Sequence, residues 1–211
     1  MKDLKETFDT LCSYNIKLNP GKCAFGVMAG KFLEFMVSQR GIEANLDKIR
    51  DIMEMARNVK EVQSLNGKIA ALNRFVSRAT DKCLPFFHTL KRSFEWTTEC
   101  QQAFEELKAY LSFPPFLSPS QPREELFLYL AVSPTAVNAA LVREEEKVQK
   151  PVYYASRVLR GAEERYPPME KLAFALVTAV RKLKPYFQAH TVNVLTDKPL
   201  RWAMSNPEAT G

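Results

Sequence analysis

The stretch Pro151-Val-Tyr-Tyr-Ala-Ser-Arg-Val-Leu159 is rich in β-branched and aromatic residues, which is typical of a β-strand. Two consecutive prolines follow it and precede an apolar series at steps of three and four, which predicts an amphipathic helix that ends near Pro185. The series consists of Met169, Leu172, Ala173, Leu176, Val180 and Leu183. Residues 191–200 then alternate between apolar and polar, and they carry Asp197 near their end. The order strand, helix, strand predicts an α/β unit with a carboxylate at a strand end.

Two further strands are expected upstream, at Glu125–Leu130 and Ala136–Val142, where they would pair as a hairpin. Before them, residues 114–122 contain four prolines and fit neither a regular helix nor a central strand. We therefore predict a Pro-rich linker at 114–122, followed by an α/β domain with a mixed sheet at 123–211. The first strands of this sheet are expected to be antiparallel.

Residues 47–113 are predicted to be helical. One apolar stripe consists of Val62, Leu65, Ile69, Leu72 and Val76, and Lys60, Arg74 and Arg78 fall on the face opposite to it. Thr97 is expected to cap a second helix, whose buried stripe is Cys100, Phe104, Leu107 and Leu111. Trp96 is predicted to lie in the core. Window 47–92 holds ten Lys and Arg against five Asp and Glu.

Residues 1–46 are predicted to form a short helix, ending near Asn15, and a small β-hairpin region. Strand-like runs occur at Ile16–Leu18, Cys23–Val27 and Lys31–Ser38, with glycines at the turns between them. The predicted fold class is therefore α+β: a small β-hairpin region and a helical middle, followed by the α/β domain.

The composition excludes several classes of protein. The chain has 211 residues, of which 46% are hydrophobic, so it can build the cores of two small domains. Its net charge of +6 permits contact with nucleic acid but does not require it. No run approaches the roughly 18 apolar residues of a membrane span, and the first residues do not resemble a signal peptide. The four cysteines lack metal-ligand spacing, which predicts reduced thiols in the cytoplasm or nucleus.

Several short strings recur in a known family at the same spacing. They are Leu18-Asn-Pro-Gly-Lys-Cys-Ala-Phe-Gly26, Phe32-Leu-Glu-Phe-Met-Val-Ser38, Gly41-Ile-Glu-Ala-Asn45, Phe94-Glu-Trp-Thr-Thr-Glu-Cys-Gln-Gln-Ala-Phe104, Glu164-Arg-Tyr166, Met169-Glu-Lys171 and Leu195-Thr-Asp-Lys-Pro-Leu200. In this order they resemble the reverse transcriptase and RNase H-like domain of Pol polyproteins from gypsy-type LTR retrotransposons. The resemblance covers nearly the whole chain.

The resemblance implies a domain plan. Residues 1–46 correspond to the end of the polymerase palm with its primer-grip hairpin, where Glu34 replaces the family's usual glycine, and residues 47–113 correspond to the thumb and connection. The paired polymerase aspartates of the family lie upstream of this hairpin, and the chain contains no Asp-Asp pair, so it is not expected to polymerise alone. Residues 123–211 correspond to an RNase H-like domain that lacks its last elements.

The resemblance also implies contact with a nucleic-acid backbone in the helical middle. The candidates are Lys60, Lys68, Arg74, Arg78 and Lys82. The alternative is a solvated basic helix face that binds nothing.

Ribonuclease H needs several carboxylates around two Mg²⁺ ions. In the family the first strand supplies an aspartate where this chain has Ala131, and the helix supplies a glutamate where it has Leu172. Asp197 is the one family carboxylate retained, and Glu170 is about 200° around the helix from Leu172. The sequence therefore predicts a degenerate, metal-free site, with Asp197 in a structural role such as capping the next segment.

Three hypotheses remain from the sequence. The first is a non-catalytic fragment of a retrotransposon polyprotein that acts as a tether or binds an RNA/DNA hybrid or DNA duplex, alongside the rest of the Pol polyprotein. The second is an active ribonuclease H that recruits Glu170 or another carboxylate and uses Mg²⁺. The third is a protein–protein scaffold. The first is favoured, with no cofactor and no membrane partner expected.

Overall fold

The computed structural model describes residues 2–32, 35–55, 59–91 and 96–205, except for the side chains of residues 2, 59–62, 87–91 and 202–203. Within these ranges the helices are α1 (Lys2–Ser13), α2 (Leu46–Met53), α3 (Val59–Ala71), α4 (Ala79–Lys91), α5 (Thr98–Ser112), α6 (Pro168–Lys182), α7 (Lys184–Ala189) and α8 (Leu200–Ser205). The strands are β1 (Ala29–Phe32), β2 (Phe35–Ser38), β3 (Gly41–Ala44), β4 (Glu125–Val132), β5 (Ala136–Glu145), β6 (Val148–Val158) and β7 (Thr191–Leu195). The predicted α+β class is confirmed. None of the described helices has the length and apolar character needed to cross a membrane.

The first sheet is antiparallel in the order β1-β2-β3, and it differs from the prediction in two ways. The predicted strands at 16–18 and 23–27 are not strands, because Asn19 accepts a hydrogen bond from the backbone N–H of Gly21 at 3.0 Å and starts a 3-10 turn at Pro20–Lys22. The single strand predicted at 31–38 is two strands, in which Phe32 pairs with Phe35. Glu34 lies outside the described residues.

The helical middle is confirmed, and its apolar stripes form one core. Leu65, Ile69, Leu72 and Val76 are buried, as are Cys100, Phe104, Leu107 and Leu111. Thr97 caps α5 by accepting a hydrogen bond from the backbone N–H of Cys100 at 3.3 Å. Trp96 is half-buried and packs on Phe86 and Phe104. The described members of both predicted stripes are therefore buried, although Leu72 and Val76 lie beyond the end of α3 at Ala71. The side chain of Val62 lies outside the described residues.

The Pro-rich segment joins the two sheets through backbone contacts. Ile42 on β3 and Leu117 exchange two backbone hydrogen bonds, at 3.0 and 3.1 Å. The next residue, Ser118, donates from its backbone N–H to the carbonyl of Pro151 on β6 at 2.8 Å. Leu117 is fully buried in the helical core. The segment that the sequence predicts as a linker is thus hydrogen-bonded to β3 on one side and to β6 on the other.

The second sheet has the order β6-β5-β4-β7. β6, β5 and β4 are antiparallel neighbours, and β7 pairs parallel to β4. Helix α6 packs on β4 and β5, where Leu126, Leu128, Leu141 and Ala179 form the core of this sheet. The predicted mixed sheet with antiparallel first strands is confirmed.

The buried face of α6 is shifted from the prediction. Lys171, Leu172, Ala175 and Ala179 are the buried residues of the helix, whereas Val180, which the prediction placed in the stripe, is exposed. The helix ends at Lys182 as predicted, and Pro185 lies in the first turn of α7, where its missing N–H has no helical partner to lose.

Candidate functional site

The parallel pairing of β4 and β7 brings two of the predicted site positions to the same level of the sheet. Tyr129 pairs with Leu195 at the last step of this ladder. Ala131 and Asp197 each lie two residues further along, so the register carries them to the same end of neighbouring strands. Ala131 is exposed and stands on the face of β4 opposite to the buried Leu128. Asp197 follows a strand, as the sequence predicts, and the ladder shows that this strand is the neighbour of the one that carries Ala131.

The third position, Leu172, lies on the buried face of α6, which packs against β4 and β5. Glu170 is on a different side of this helix, where it lines a cavity with Tyr166, Met169 and Met204. This separation agrees with the 200° expected from helix geometry. In this arrangement Glu170 does not occupy the position of Leu172.

A buried lysine stands next to Leu172. Lys171 is only 8% exposed, and its Nζ donates a hydrogen bond to the backbone carbonyl of Pro134 at 3.0 Å. Pro134 lies in the turn between β4 and β5. The face of α6 that packs near the β4–β5 turn thus carries the ammonium of Lys171 and the apolar side chain of Leu172. The sequence pattern does not indicate that Lys171 is buried, because a lysine within an amphipathic helix is normally assigned to the solvated face.

Asp197 is almost fully solvated. Its side chain is 82% exposed and forms an ion pair with the adjacent Lys198 at 3.2 Å. In the turn before α8, the hydroxyl of Thr196 accepts the hydrogen bond from the backbone N–H of Lys198 at 3.1 Å. The side-chain acceptor of this turn is therefore Thr196.

The residues at these positions do not fit a pair of divalent cations. Mg²⁺ takes oxygen ligands, but Ala131 and Leu172 offer none, and Lys171 adds a positive charge beside them. Among the residues that the structure describes, no group of three or more His, Cys, Asp or Glu side chains could hold a metal ion. The donor set thus provides one exposed carboxylate where the metal-dependent reaction needs several.

Two of the predicted phosphate-binding lysines have partners within the protein. Lys68 on α3 forms an ion pair with Asp51 at 3.0 Å, and its hydrogen bond and charge lower the pKa of Asp51. Lys82 on α4 is half-buried, with its Nζ 3.6 Å from the ring centroid of Tyr110, and desolvation lowers its pKa. The side chain of Lys60 lies outside the described residues.

Arg74 does not lie on a solvated helix face. Helix α3 ends at Ala71, so the helical period used to assign the face does not extend to residue 74. Its guanidinium carbon is 5.1, 5.9 and 4.7 Å from the ring centroids of Phe35, Phe75 and Tyr153. These rings come from both sheets and the helical core. Arg74 therefore bridges the two parts of the molecule through these rings. Its Nε is buried and has no hydrogen-bond partner among the residues that the structure describes.

Arg78 has the most exposed side chain of the four candidates whose side chains are described. It is 59% exposed, and its Nε donates a hydrogen bond to Oδ2 of Asp81 at 3.1 Å. Asp81 is only 16% exposed and also accepts hydrogen bonds from Oγ of Ser133 at 2.8 Å and Nδ2 of Asn138 at 3.0 Å. Helix α4 is thus joined to β5 and the β4–β5 turn through one carboxylate.

This polar network continues into β6. Oδ1 of Asn138 accepts a hydrogen bond from Oγ of Ser156 at 2.6 Å, and Ser156 accepts one from the backbone N–H of Thr80 at 3.1 Å. The sequence pattern does not indicate the network, because the four hydrogen bonds that join α4, β5, β6 and the β4–β5 turn link residues 18 to 76 positions apart.

Curated relatives share sequence with this chain almost from end to end. It is 30% identical to the retrovirus-related Pol polyprotein from transposon 412 of Drosophila melanogaster, over 99% of this chain and 18% of that protein. It is 25% identical to the transposon Tf2-3 polyprotein of Schizosaccharomyces pombe, over 93% of this chain and 15% of that protein. The chain therefore spans less than a fifth of the length of these relatives.

Solved structures with the same fold come from foamy virus. The chain superposes on the foamy viral protease-reverse transcriptase in complex with an RNA/DNA hybrid with a TM-score of 0.72 and 23% identity, over 98% of this chain and 29% of that one. The complex of that protein with double-stranded DNA gives a TM-score of 0.70 at 23% identity, over 98% of this chain and 44% of that one. These likenesses show a shared fold.

A family model matches residues 96–194, a range that includes α5, the Pro-rich segment, the second sheet and α6. This model describes the RNase H-like domain found in reverse transcriptase. Residues 96–194 therefore belong to the RNase H-like domains of reverse transcriptases, in a chain whose relatives are retrotransposon Pol polyproteins.

Proposed function

We propose that this chain is a reverse transcriptase segment in which the RNase H-like domain no longer cleaves RNA and instead helps the helical region to hold an RNA/DNA hybrid or DNA duplex. The observation that carries the proposal is the donor set: the resemblance implies carboxylates at Ala131 and Leu172, these side chains offer no oxygen, and the retained Asp197 is exposed. Two metal ions held by carboxylates are the basis of RNase H chemistry. A domain that has lost most of these carboxylates can keep its fold but cannot hold the two metal ions that the reaction needs.

The duplex-binding part of the proposal is supported by the helical region. Its positive side chains offer the charge that a phosphate backbone attracts, and Arg78 is exposed. The solved foamy viral proteins of the same fold are complexes with double-stranded DNA and with an RNA/DNA hybrid. Arg74, Lys68 and Lys82 have intramolecular partners, so their contact with phosphate requires those partners to be shared.

One gel experiment tests both parts. An end-labelled RNA/DNA hybrid is incubated with the protein in Mg²⁺ or Mn²⁺, and the samples are run on native and denaturing gels beside the Asp197→Asn variant. The expected result is a shifted, intact hybrid in both samples, with an affinity that falls as salt rises. Cleavage that disappears in Asp197→Asn would instead identify an active ribonuclease H. No shift at low salt would contradict duplex binding.

A second candidate function, a protein–protein scaffold, is supported by apolar side chains in the first forty residues. Tyr14, Phe25, Met28 and Phe32 are all more than half exposed. Tyr14 follows α1, Met28 directly precedes β1, and Phe32 is the last residue of β1. Such a patch is typical of a surface that another protein covers. We propose the rest of a Pol polyprotein as the occupant, since the curated relatives are more than five times as long as the aligned segment.

The molar mass in solution tests the scaffold function. Self-association through this patch predicts a dimer or larger species by light scattering, and Met28→Lys with Phe32→Lys should return it to a monomer. A monomer at all concentrations contradicts self-assembly. The patch then serves another segment of the polyprotein, and binding of a separately expressed upstream polymerase segment, lost in the same variant, would support that occupant.

A further inference from the structure

The contact between Arg78 and Asp81 fixes the direction of an exposed cation. Arg78 immediately precedes α4 and has a backbone φ of 53°, and its Nε donates to Asp81 within the first turn of that helix. A guanidinium has five N–H groups in a planar fork, of which this hydrogen bond uses one. The terminal nitrogens carry the other four. Because the side chain is 59% exposed, a group in solution can approach these nitrogens.

Asp81 is itself held by the second sheet. Oδ1 accepts from Ser133 and Oδ2 accepts from Asn138, so two side chains of the RNase H-like domain fix the carboxylate that fixes Arg78. Ser133 is locked in the β4–β5 turn, where its Oγ accepts from the backbone N–H of Ala136 at 2.9 Å. Asn138 is buried and held by Ser156. The chain of contacts therefore runs from the rigid sheet to an exposed arginine of the helical region.

We infer that Asp81 is a positioning residue, through which the RNase H-like sheet orients Arg78 to bind a backbone phosphate of a nucleic-acid duplex. This inference rests on the proposed duplex binding and names a residue that carries it. Arg is suited to this role because its planar fork can donate two hydrogen bonds to one phosphate once its direction is fixed. A domain without catalytic carboxylates thereby contributes to binding without touching the duplex.

The charge of Asp81 gives the inference a direction that can be tested. If Asp81 acted only through its charge, Asp81→Asn would raise the net charge by one and strengthen binding to a polyanion. If Asp81 positions Arg78, the same change weakens binding, because the amide holds the guanidinium less firmly. We expect Asp81→Asn to weaken binding by roughly three- to tenfold. The slope of the logarithm of the binding constant against the logarithm of the salt concentration should become shallower by about 0.9, which corresponds to one lost phosphate contact.

A double-mutant cycle with Ser133→Ala separates positioning from general damage, since this change leaves the charge unaltered. Ser133→Ala should weaken binding to a hybrid in the wild-type background and have no effect in Arg78→Gln. In Arg181→Gln, which removes an exposed arginine from α6, Ser133→Ala should weaken binding by the same factor as in the wild type. Equal effects in all three backgrounds would overturn the inference.

The outcome also distinguishes this inference from the proposed function. If the wild-type chain does not bind a duplex at low salt, both the proposed function and this inference are wrong. If the wild-type chain binds and the effects of Ser133→Ala and Arg78→Gln are additive, only the inference about Asp81 is wrong. A measurement without nucleic acid checks the geometry: the Nε–H signal of Arg78 in an NMR spectrum should be protected from exchange with water in the wild type and lose protection in Ser133→Ala. Equal exchange in both proteins contradicts positioning by the sheet.

Discussion

Lys171 on α6 donates a hydrogen bond from Nζ to the backbone carbonyl of Pro134 at 3.0 Å, so a buried ammonium joins the helix to the β4–β5 turn. This contact lies one residue from Leu172, where the resemblance implies a catalytic glutamate. The helix is thus attached to the sheet by a cation and an apolar side chain at a place where a metal site would require anions.

The Lys171 contact predicts a strong effect of charge reversal. Lys171→Glu places a carboxylate against a carbonyl oxygen in a buried position, so we expect the free energy of unfolding to fall by about 3 kcal/mol or more. Arg181→Glu makes the same change in charge at an exposed position of the same helix and should cost at most about 1 kcal/mol. Urea unfolding followed by circular dichroism measures both. Equal losses would mean that Lys171 is not buried in solution.

Restoring the missing carboxylates should restore metal binding. The variant Ala131→Asp with Leu172→Glu returns carboxylates to the two positions at which the resemblance implies them, with Asp197 as the third. We expect Mn²⁺ to raise the melting temperature of this variant and to leave that of the wild type unchanged, since a ligand that binds only the folded state stabilises it.

The control for this prediction removes the third carboxylate. Adding Asp197→Asn to the double variant should abolish the stabilisation by Mn²⁺. Persistence of the shift would mean that the metal binds elsewhere. A double variant that Mn²⁺ does not stabilise would show that the three positions do not converge in solution.

How far the sequence predicts this molecule depends on the range of the interaction. Thr97 caps α5 and Leu65 and Phe104 are buried as predicted, because capping and amphipathic period are properties of neighbouring residues. The mixed sheet also follows from local patterns. The predicted environment of Arg74 is wrong, since the helical period does not continue beyond the end of α3 into the segment of turns that carries this residue.

In the candidate site too, the features set by neighbouring residues are predicted and the long-range contacts are not. The alternation of residues 191–195 predicts a strand before Asp197, whereas only the β4–β7 ladder shows that this strand is next to that of Ala131. The sequence around Asp81 does not indicate its role, because its partners Ser133 and Asn138 are 52 and 57 residues away. A single sequence contains no local signal for such contacts. Nucleic-acid binding by Arg78 and the other candidates stays a prediction.

Burial of a cysteine predicts a difference in reactivity and in pH dependence. Desolvation raises the pKa of the Cys83 thiol from 9.0 to about 12, whereas Cys12 is exposed. At pH 8 we expect iodoacetamide to modify Cys12 within the folded chain and Cys83 only after unfolding, because the thiolate is the nucleophile. Mass spectrometry of the digested protein measures both sites. Modification of the two at the same rate in the absence of denaturant would contradict this burial.

The raised pKa of Cys83 also predicts how the free energy of unfolding changes with pH. Because the folded state keeps the Cys83 proton more tightly than the unfolded state, its contribution is complete below pH 9 and is lost as the pH rises towards 12. The free energy of unfolding should therefore fall with pH above about 9, and less steeply in Cys83→Ala. Identical slopes in the two proteins would assign the fall to other groups.

Two glycines with opposite surroundings test the contact between the Pro-rich segment and the first sheet. At Gly41, φ is +141° and an added Cβ would lie 2.2 Å from the carbonyl oxygen of Leu117, so Gly41→Ala must break the Ile42–Leu117 bridge. We expect a loss of roughly 2–4 kcal/mol in the free energy of unfolding. At Gly67, inside α3, an added Cβ meets nothing within 4 Å, so Gly67→Ala should stabilise the protein by up to about 1 kcal/mol. Urea unfolding should therefore give shifts of opposite sign, and a neutral Gly41→Ala would show that the segment is not held against β3 in solution.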